Sequence, residues 1–310
     1  MAKRDERQLF DMRVIISPAK KMRGSGGEGV RGRSAGDDAA CDAFPPTGIP
    51  PFPQMSARIL AELRAKSRAE LQAIWKVSEA LLEESCERTA ALELSMSWED
   101  ACISQLAARL VPALFSYDGI QYQSLAPQVL DEPALAWLQR HLLVLSALHG
   151  CVRPFDAVMP YRLEMGARLP VGDARDLYAF WGPTLGAYVA ADREGEASVG
   201  VRTCVVNLAS VEYAKAVLPY LPAGTPTVTC IFGEALKDGK PVQRSTASKT
   251  ARGSMARWLA ETRPSDPADL RLFDVGYRYD EDLSREVSRG AICAPEAGSL
   301  PATLVFMRKD

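Results

Sequence analysis

Short apolar runs rich in β-branched residues alternate with longer amphipathic segments along this chain, and this alternation limits its fold more than any other feature. Strands that alternate with helices predict a mixed α/β fold, with helices around a mixed sheet. No repeat and no clear linker divides the 310 residues, so a single compact domain is expected. The strand-like runs are RVIIS (13–17), TCVVNLAS (203–210), PTVTCIFGEA (226–235), LFDVGYRYD (272–280) and ATLVFMRK (302–309).

Helical periodicity predicts most of the segments between these runs. A Gly-rich, polar stretch and five prolines interrupt the pattern early in the chain, which predicts an irregular loop over residues 24–53. The predicted helices cover Met55 to about Glu84, Trp98 to Leu110 behind a capping-box-like Ser-Trp-Glu-Asp, Leu135 to Leu148, 176–191, 212–221 and 246–262.

The overall composition excludes several classes of protein. No apolar run approaches the ~20 residues of a membrane helix, and the first twelve residues have no signal-like apolar core, so we expect a cytoplasmic protein without membrane contact. The seven cysteines include no C-x-x-C pair, and there are only two histidines. We therefore expect no disulfide framework, no metal site and no cofactor.

Charge is unevenly distributed. The net charge of −2 does not resemble that of a protein that coats DNA, but two segments are basic. Residues 13–33 contain six basic residues and one acid, and residues 244–258 contain four basic residues and no acid. The second segment is predicted to be helical, which places Lys249 and Arg252 on one face, with Arg257 near it. That face is either simply solvated or directed at phosphate groups.

The stretch LSALHGCVRPFDAVMPYRLEMGARL (145–169) contains the densest group of candidate site residues. If a helix ends at His149, Gly150 is either an ordinary helix C-cap or the turn of a hairpin whose backbone approaches phosphate, with Arg153 as the neighbouring cation. Further on, an extended backbone would place Arg162 and Glu164 on one face and Tyr161 on the other. Arg162 and Glu164 form a structural pair, or Arg162 binds an anion that Glu164 serves as an acid or base.

Other candidates follow predicted strands. Ser17 and Lys20 come directly after the first strand, where ligands of α/β proteins gather, although the segment lacks the Walker A pattern. Asn207 lies where a buried strand meets a helix, so it is either an N-cap or a group that hydrogen-bonds a nucleobase edge. Tyr117 and Tyr122 flank a predicted turn and either pack there or stack on a base.

In order along the chain, these motifs resemble the YaaA family of peroxide stress proteins. The matching blocks include IISPAKKM, YDGIQY, HLLVLSALHGCVRPFDAVMPYRLEMGARL, VVNLASVEYAKAV and ASKTARGSMARW, and together they cover nearly all of residues 12–308. The resemblance implies a cytosolic DNA-binding protein with one α/β domain, a helix–hairpin–helix element and a positively charged cleft. It also implies a role in limiting damage from free iron during hydrogen peroxide stress.

The chain departs from the family pattern in three places. We interpret residues 1–11 as a flexible N-terminal extension ahead of a domain that covers 12–310. The loop at 24–38 is unusually rich in glycine and arginine, and residues 286–301 are interpreted as an insertion.

Two functional hypotheses from different classes remain. In the first, the protein binds double-stranded DNA without sequence preference, through phosphate contacts from Lys20, Arg153, Lys249 and Arg252. In the second, it is an enzyme whose pocket holds a nucleotide-like anion, and the net charge of −2 favours this hypothesis. There Arg162 and Lys20 would hold the anion, Tyr117, Tyr122 and Asn207 would contact the base, and Glu164 would be the acid or base. An iron-handling protein that uses the acidic residues 280–284 is a third, weaker alternative. The sequence does not indicate the oligomeric state.

Overall fold

The computed structural model describes residues 9–25, 44–103, 105–191, 201–288 and 302–309. These residues share one hydrophobic core and form a single α/β domain, as predicted. The described strands are β1 (Leu9–Ile16), β2 (Lys21–Met22), β3 (Val111–Pro112), β4 (Tyr117–Asp118), β5 (Leu142–Ser146), β6 (Gly150–Val152), β7 (Ala157–Val158), β8 (Val201–Asn207), β9 (Thr227–Gly233), β10 (Ala235–Lys237), β11 (Lys240–Val242), β12 (Tyr277–Asp280) and β13 (Thr303–Arg308).

Helices cover the sheet and connect its strands. The described α-helices are α1 (Pro53–Arg64), α2 (Arg68–Trp75), α3 (Glu79–Ala91), α4 (Trp98–Ile103), α5 (Ala113–Ser116), α6 (Ile120–Leu125), α7 (Glu132–His141), α8 (Leu177–Trp181), α9 (Thr184–Ala190), α10 (Val211–Ala214), α11 (Ser245–Thr262) and α12 (Glu281–Ser288). Short 3₁₀ turns lie at Gln105–Arg109, Pro127–Val129, Leu218–Tyr220 and Pro267–Leu272. None of the described helices is long and apolar enough to cross a membrane.

A seven-stranded mixed sheet forms the centre of the domain, in the order β12-β13-β9-β8-β1-β5-β6. The five inner strands run parallel, and the two outer strands pair antiparallel with their neighbours. Because β1 lies between β8 and β5, its run Val14–Ile16 is fully buried, as expected of a strand covered on both faces. The carboxyl ends of the parallel strands therefore meet at one edge of the sheet.

The first strand is longer than predicted. It begins at Leu9 and pairs with β8 from its first residue, so residues 9–11 of the predicted flexible extension belong to the sheet. Residues 1–8 lie outside the described part of the chain.

The prediction of a helix from Leu135 to Leu148 is wrong in its second half. Helix α7 ends at His141, and the next five residues form β5, in which every residue is buried. A short apolar run that is buried on all sides has the same pattern in a helix and in an inner strand, so periodicity did not distinguish them. Gly150 then begins β6, which pairs antiparallel with β5. This segment is a hairpin of two strands, not the predicted helix–hairpin–helix element.

The predicted helix from Met55 to Glu84 consists of three shorter ones. Helix α1 ends at Arg64, and α2 begins behind Ser67, which forms a capping box with Glu70. Lys76 adopts a left-handed conformation and ends α2 before α3 starts. The segment 176–191 is likewise split into α8 and α9 at its Gly-Pro pair.

Two predicted loops fall largely outside the described residues. Residues 26–43 of the loop at 24–53 and residues 289–301 of the predicted insertion are not described. The described end of the first loop packs on the domain, because Phe44 stacks on Phe115 with ring centroids 5.7 Å apart. The first three residues of the predicted insertion belong to α12, which ends at Ser288.

Candidate functional site

A cleft of about 360 Å³ lies at the carboxyl edge of the sheet. Its walls come from the segment after β1, the start of α6, the extended segment 161–164, the segment after β8, and α11. Ligands of α/β proteins bind at this edge. The lining residues are Ser17, Pro18, Ala19, Lys20, Lys21, Asp118, Gly119, Ile120, Gln121, Tyr122, Tyr161, Arg162, Leu163, Glu164, Ser210, Glu212, Tyr213, Lys249 and Arg252.

Ser17 fixes the segment that leaves β1. Its backbone carbonyl accepts hydrogen bonds from Gln121 Nε2 at 2.9 Å and from the Tyr122 hydroxyl at 3.0 Å. Its hydroxyl donates to Ser210 Oγ at 3.2 Å and accepts from the Ser210 amide at 2.8 Å. The first strand, α6 and the segment after β8 are thereby tied together at the floor of the cleft.

The segment from Tyr161 to Glu164 shows the alternation that an extended backbone predicts. Tyr161 and Leu163 are buried, whereas Arg162 and Glu164 are partly exposed. The Tyr161 hydroxyl lies 2.7 Å from Ser146 Oγ at the end of β5 and 3.1 Å from the Tyr117 hydroxyl. These two contacts anchor the segment to the sheet edge, so Arg162 and Glu164 are held at the wall of the cleft.

Two of the three acidic side chains of the cleft are neutralised by bases. Glu164 is paired with Lys20, with an oxygen–nitrogen distance of 2.6 Å. Asp118 is paired with Lys21 at 2.9 Å and with Arg23 at 3.2 Å. Burial by itself would raise the pKa of Asp118, but the hydrogen bonds from the two bases outweigh burial and lower it.

The third acid, Glu212, accepts a hydrogen bond from the backbone amide of Gly166 at 2.8 Å. All three carboxylates therefore have at least one partner in the part of the chain that the structure describes.

Three basic side chains of the cleft have no such partner. Within the described part of the chain, neither a carboxylate nor another acceptor bonds to Arg162, Lys249 or Arg252. The Nε atoms of both arginines are buried as well as unpaired. Burial lowers the pKa of Arg252, as it does for a cation without a nearby counter-charge. These three cations therefore lack a counter-charge among the described residues.

Helix α11 carries Lys249 and Arg252 and is held close to α6 by a glycine. A Cβ atom added to Gly253 would lie 2.0 Å from the backbone oxygen of Gln121 and 2.9 Å from Ser124 Cβ. Only a glycine permits so close a packing of the two helices. Arg257, which was expected near this face, is bonded to Glu261 and does not line the cleft.

The tyrosines predicted to stack on a base are not free to do so. Tyr117 and Tyr122 are buried and pack on each other, with ring centroids 5.3 Å apart and planes tilted by 33°. Burial raises the pKa of both phenols well above the usual value, so both hydroxyls stay protonated. Tyr122 lines the cleft as part of its floor, whereas Tyr117 supports Tyr161 from behind.

The other predicted base contact is also absent from the cleft. The side chain of Asn207 is buried between β8 and the turn that follows it. Its amide nitrogen donates to Thr229 Oγ1 at 3.3 Å, and its oxygen accepts from the Ala209 amide at 2.9 Å. Asn207 therefore forms an Asx turn, and Ser210 occupies the N-cap position of α10, so both predictions for Asn207 are wrong.

Gly150 and Arg153, the predicted hairpin contacts to phosphate, lie away from the cleft. Gly150 is buried with a φ of 77°, and the space for a Cβ is closed by Leu185 and Phe52 at 2.9 Å. Arg153 packs beside Asp156, whose carboxylate accepts its backbone amide at 2.8 Å. A phosphate cannot approach this glycine, because side chains surround it on the side where a ligand would need to lie.

The sequence interpretation missed five polar groups of the cleft. Asp118 and Lys21 were overlooked because a turn signal and a basic run explained them without a site. Gln121 and Tyr213 lie in the short helices α6 and α10, where no local pattern marks them. Glu212 follows β8 as Lys20 follows β1, and that parallel position was the one available signal. Among the described residues, no group of three or more His, Cys, Asp and Glu side chains is arranged to hold a metal ion.

The fold and the cleft define the class: a single-domain α/β protein with a polar cleft at the carboxyl edge of a mixed sheet. The sequence matches the family described as peroxide stress protein YaaA over residues 12–283. The chain therefore belongs to this family.

Curated relatives agree with that assignment. A UPF0246 protein of Pediococcus pentosaceus is 36% identical over 274 residues, covering 88% of this chain and 94% of the relative. A UPF0246 protein of Lachnoclostridium phytofermentans is 37% identical over 276 residues, covering 89% and 94%. A third, from Limosilactobacillus fermentum, is 39% identical over 276 residues, covering 89% and 97%.

Proposed function

We propose that the protein binds a small, phosphate-bearing anion in the cleft, and that this binding serves the cell's defence against peroxide in the cytoplasm. The observation that carries the proposal is that the acidic side chains of the cleft have bonding partners whereas three of its basic side chains have none in the part of the chain that the structure describes. Every acid of the cleft is bonded, whereas Arg162, Lys249 and Arg252 are unpaired among the described residues. Guanidinium groups form strong charge-assisted hydrogen bonds with phosphate oxygens. The family description supplies the peroxide context.

The size of the cleft supports a small ligand. A volume of about 360 Å³ lies near the lower end of the roughly 300–1,000 Å³ range of small-molecule sites. The floor contains the Ser210 hydroxyl, a neutral group that can donate to a phosphate oxygen, whereas the Tyr122 and Ser17 hydroxyls already donate to groups of the protein. Stacking on a base is not part of the proposal, because Tyr117 and Tyr122 pack on each other.

An enzyme that acts on the bound anion is a more specific form of the same proposal. Glu164 is the candidate acid or base, since it lines the cleft two residues after Arg162 and its carboxylate is held by Lys20. A general acid or base must lie within hydrogen-bond reach of the proton that it transfers. Replacement of Glu164 by Gln would then abolish turnover without weakening the binding of the anion.

Duplex DNA is the second candidate ligand, and one observation favours it. The side chains of Lys20 and Lys21 are 62% and 60% exposed, so they extend out of the cleft towards solvent. A small ligand enclosed in the cleft would not contact these exposed parts. Together with exposed Lys249 they offer phosphate contacts at the mouth of the cleft. A protein bound in this way would protect DNA from damage by free iron.

Fluorescence anisotropy with labelled duplex DNA across a salt series tests both candidates, with adenosine monophosphate (AMP) and inorganic phosphate as competitors. The small-ligand proposal predicts that these competitors bind and that Arg252→Gln weakens them by at least tenfold. Arg257→Gln, on the same helix but paired with Glu261, is the matched control and should change nothing. If DNA binds and small anions do not compete, Lys20→Gln should lower the salt slope by about one unit. Absence of binding by DNA, phosphate and AMP would refute both candidates.

A further inference from the structure

The formal charge of the cleft restricts the charge of its ligand. Five basic and three acidic side chains line it, which leaves a net charge of +2 among the described residues. Lys20 and Lys21 are compensated locally by Glu164 and Asp118. The excess positive charge therefore lies on Arg162, Lys249 and Arg252. Among the described lining residues only Glu212 opposes it, and one oxygen of Glu212 accepts a hydrogen bond from a backbone amide.

Neutral donors add to this charge on the floor of the cleft. Ser17 donates its hydroxyl proton to Ser210, and the Ser210 amide bonds back to Ser17. The hydroxyl proton of Ser210 itself has no acceptor in the part of the chain that the structure describes. A phosphate oxygen is the kind of acceptor that this proton, and the unpaired Nε atoms of Arg162 and Arg252, can bind.

We propose that the cleft selects a terminal phosphate group, a phosphomonoester in its dianionic form, over the phosphodiester groups of a nucleic acid strand. This inference rests on the proposed anion binding and names the chemical class of its ligand. A phosphomonoester carries about −1.5 to −2 charges at pH 7, which matches the +2 of the cleft, whereas each diester carries a single charge. A terminal phosphate also offers three oxygens to the three unpaired cations, and a diester offers two.

The selection has a measurable pH dependence, because the second pKa of a phosphomonoester is about 6. Below that pKa the fraction of the monoester in its dianionic form falls about tenfold per pH unit, while a diester keeps its single charge. No histidine lines the cleft, so no side chain of ordinary pKa near 6 faces the ligand there. The groups that do face it are the carboxylates of Asp118, Glu164 and Glu212, the five bases, and the phenols of Tyr122, Tyr161 and Tyr213. A change in the protonation of any of these groups would alter the affinity for both kinds of ligand, whereas protonation of the ligand itself affects only the monoester.

Isothermal titration calorimetry of the full chain with AMP and with 3′,5′-cyclic AMP tests the inference, because the two ligands share base and sugar and differ in the phosphate ester. We expect AMP to bind at least tenfold more tightly at pH 7, and this ratio to fall towards unity at pH 5. Inorganic phosphate should compete with AMP. Arg162→Gln and Arg252→Gln should each reduce the ratio, and Arg257→Gln should leave it unchanged.

A parallel titration uses one DNA oligonucleotide with either a 5′-phosphate or a 5′-hydroxyl end, and the phosphorylated end should bind more tightly. Equal affinity for AMP and cyclic AMP at both pH values would overturn the selection of a monoester and leave the proposed anion binding intact. No binding of AMP, cyclic AMP, phosphate or either oligonucleotide would overturn the proposed function itself.

Discussion

The cleft lies beyond the carboxyl ends of β1 and β8, and the β5–β6 hairpin, taken with the turn that follows it as far as Asp156, lies beyond the carboxyl end of β5. Both contain arginine and carboxylate side chains. In the cleft, the Nε atoms of Arg162 and Arg252 are unpaired among the described residues. In the hairpin, burial lowers the pKa of His149 to about 4 and raises that of Asp156 to about 7. The hairpin therefore favours the neutral forms of its buried groups, whereas the cleft maintains an excess of positive charge. This difference, more than residue type, distinguishes the cleft from a structural turn.

The largest effect that distinguishes the two regions concerns pH and stability. Asp156 has a folded-state pKa raised to about 7 from 3.8, so the stability that it contributes is fully present below pH 3.8 and is lost as pH rises through 7. His149 has a folded-state pKa lowered to about 4 from 6.5, so its contribution is present above 6.5 and is lost as pH falls through 4. Between about pH 4 and 6.5 one contribution falls as the other rises, so their pH dependences cancel and their sum stays nearly constant.

Asp156→Asn should remove the pH dependence that Asp156 contributes and leave that of His149 visible. The variant keeps an oxygen that can accept the hydrogen bond from the Arg153 amide, but it no longer has a carboxyl group that titrates. Its free energy of unfolding relative to the native chain should increase by on the order of 4 kcal/mol between pH 4 and pH 7, since each pKa unit is worth ~1.4 kcal/mol. Urea denaturation at a series of pH values measures this difference. A difference that is constant across the series would show that Asp156 is charged in the folded protein.

The second prediction tests whether the hairpin is purely structural. Gly150→Ala introduces a methyl group 2.9 Å from Leu185 and Phe52 at a residue with a φ of 77°. Backbone strain and overpacking together should destabilise the fold by about 2–4 kcal/mol. Gly224→Ala is the matched control, because Gly224 has a φ of 80° and open space around it, and should cost only the strain of about 1 kcal/mol.

The affinity of the folded Gly150→Ala protein for AMP should equal that of the native chain. A selective loss of affinity, at a temperature where the variant is folded, would instead connect the hairpin to the ligand.

The third prediction concerns Gly253, where the cleft depends on packing as the hairpin does. Gly253→Ala places a methyl group 2.0 Å from the Gln121 carbonyl, so α11 must move away from α6. We expect a loss of about 1–3 kcal/mol in stability and a weaker affinity for AMP, since Lys249 and Arg252 move with the helix. Ser254→Ala, one residue further along α11, serves as the control. Unchanged affinity in Gly253→Ala would show that the spacing of α6 and α11 does not position the two cations.

The smallest effect is expected at the Lys20–Glu164 ion pair. Both side chains are partly exposed, so Glu164→Gln should change the free energy of unfolding by less than about 1 kcal/mol. The same variant releases Lys20 and raises the positive charge of the cleft, which should tighten AMP binding about two- to tenfold at low salt. A thermal unfolding curve and a calorimetric titration on one preparation measure both quantities. Weaker binding would mean that Glu164 itself bonds to the ligand.

The sequence predicted the sheet and much of the cleft because their signals are local. β-Branched runs identified β8, β9 and β13, and the positions after β1 and on α11 identified Lys20 and Arg252. The end of α7 was not predictable in this way, because Leu142–Ser146 is apolar at every position and its strand conformation depends on pairing with β1. Tertiary packing also determines which polar side chains are already hydrogen-bonded within the protein. Nothing near Asn207 in sequence indicates that its side-chain amide donates to Thr229.

The order of the strands also bears on how the chain is made. Strand β13 lies between β9 and β12, although it comes after both of them in sequence. A ribosome must therefore add residues 303–308 before the sheet can close, and until then the open edge of β9 is exposed to pairing with another nascent chain. Folding of this domain is thus a late event in synthesis that depends on contacts between distant residues, and such contacts form slowly.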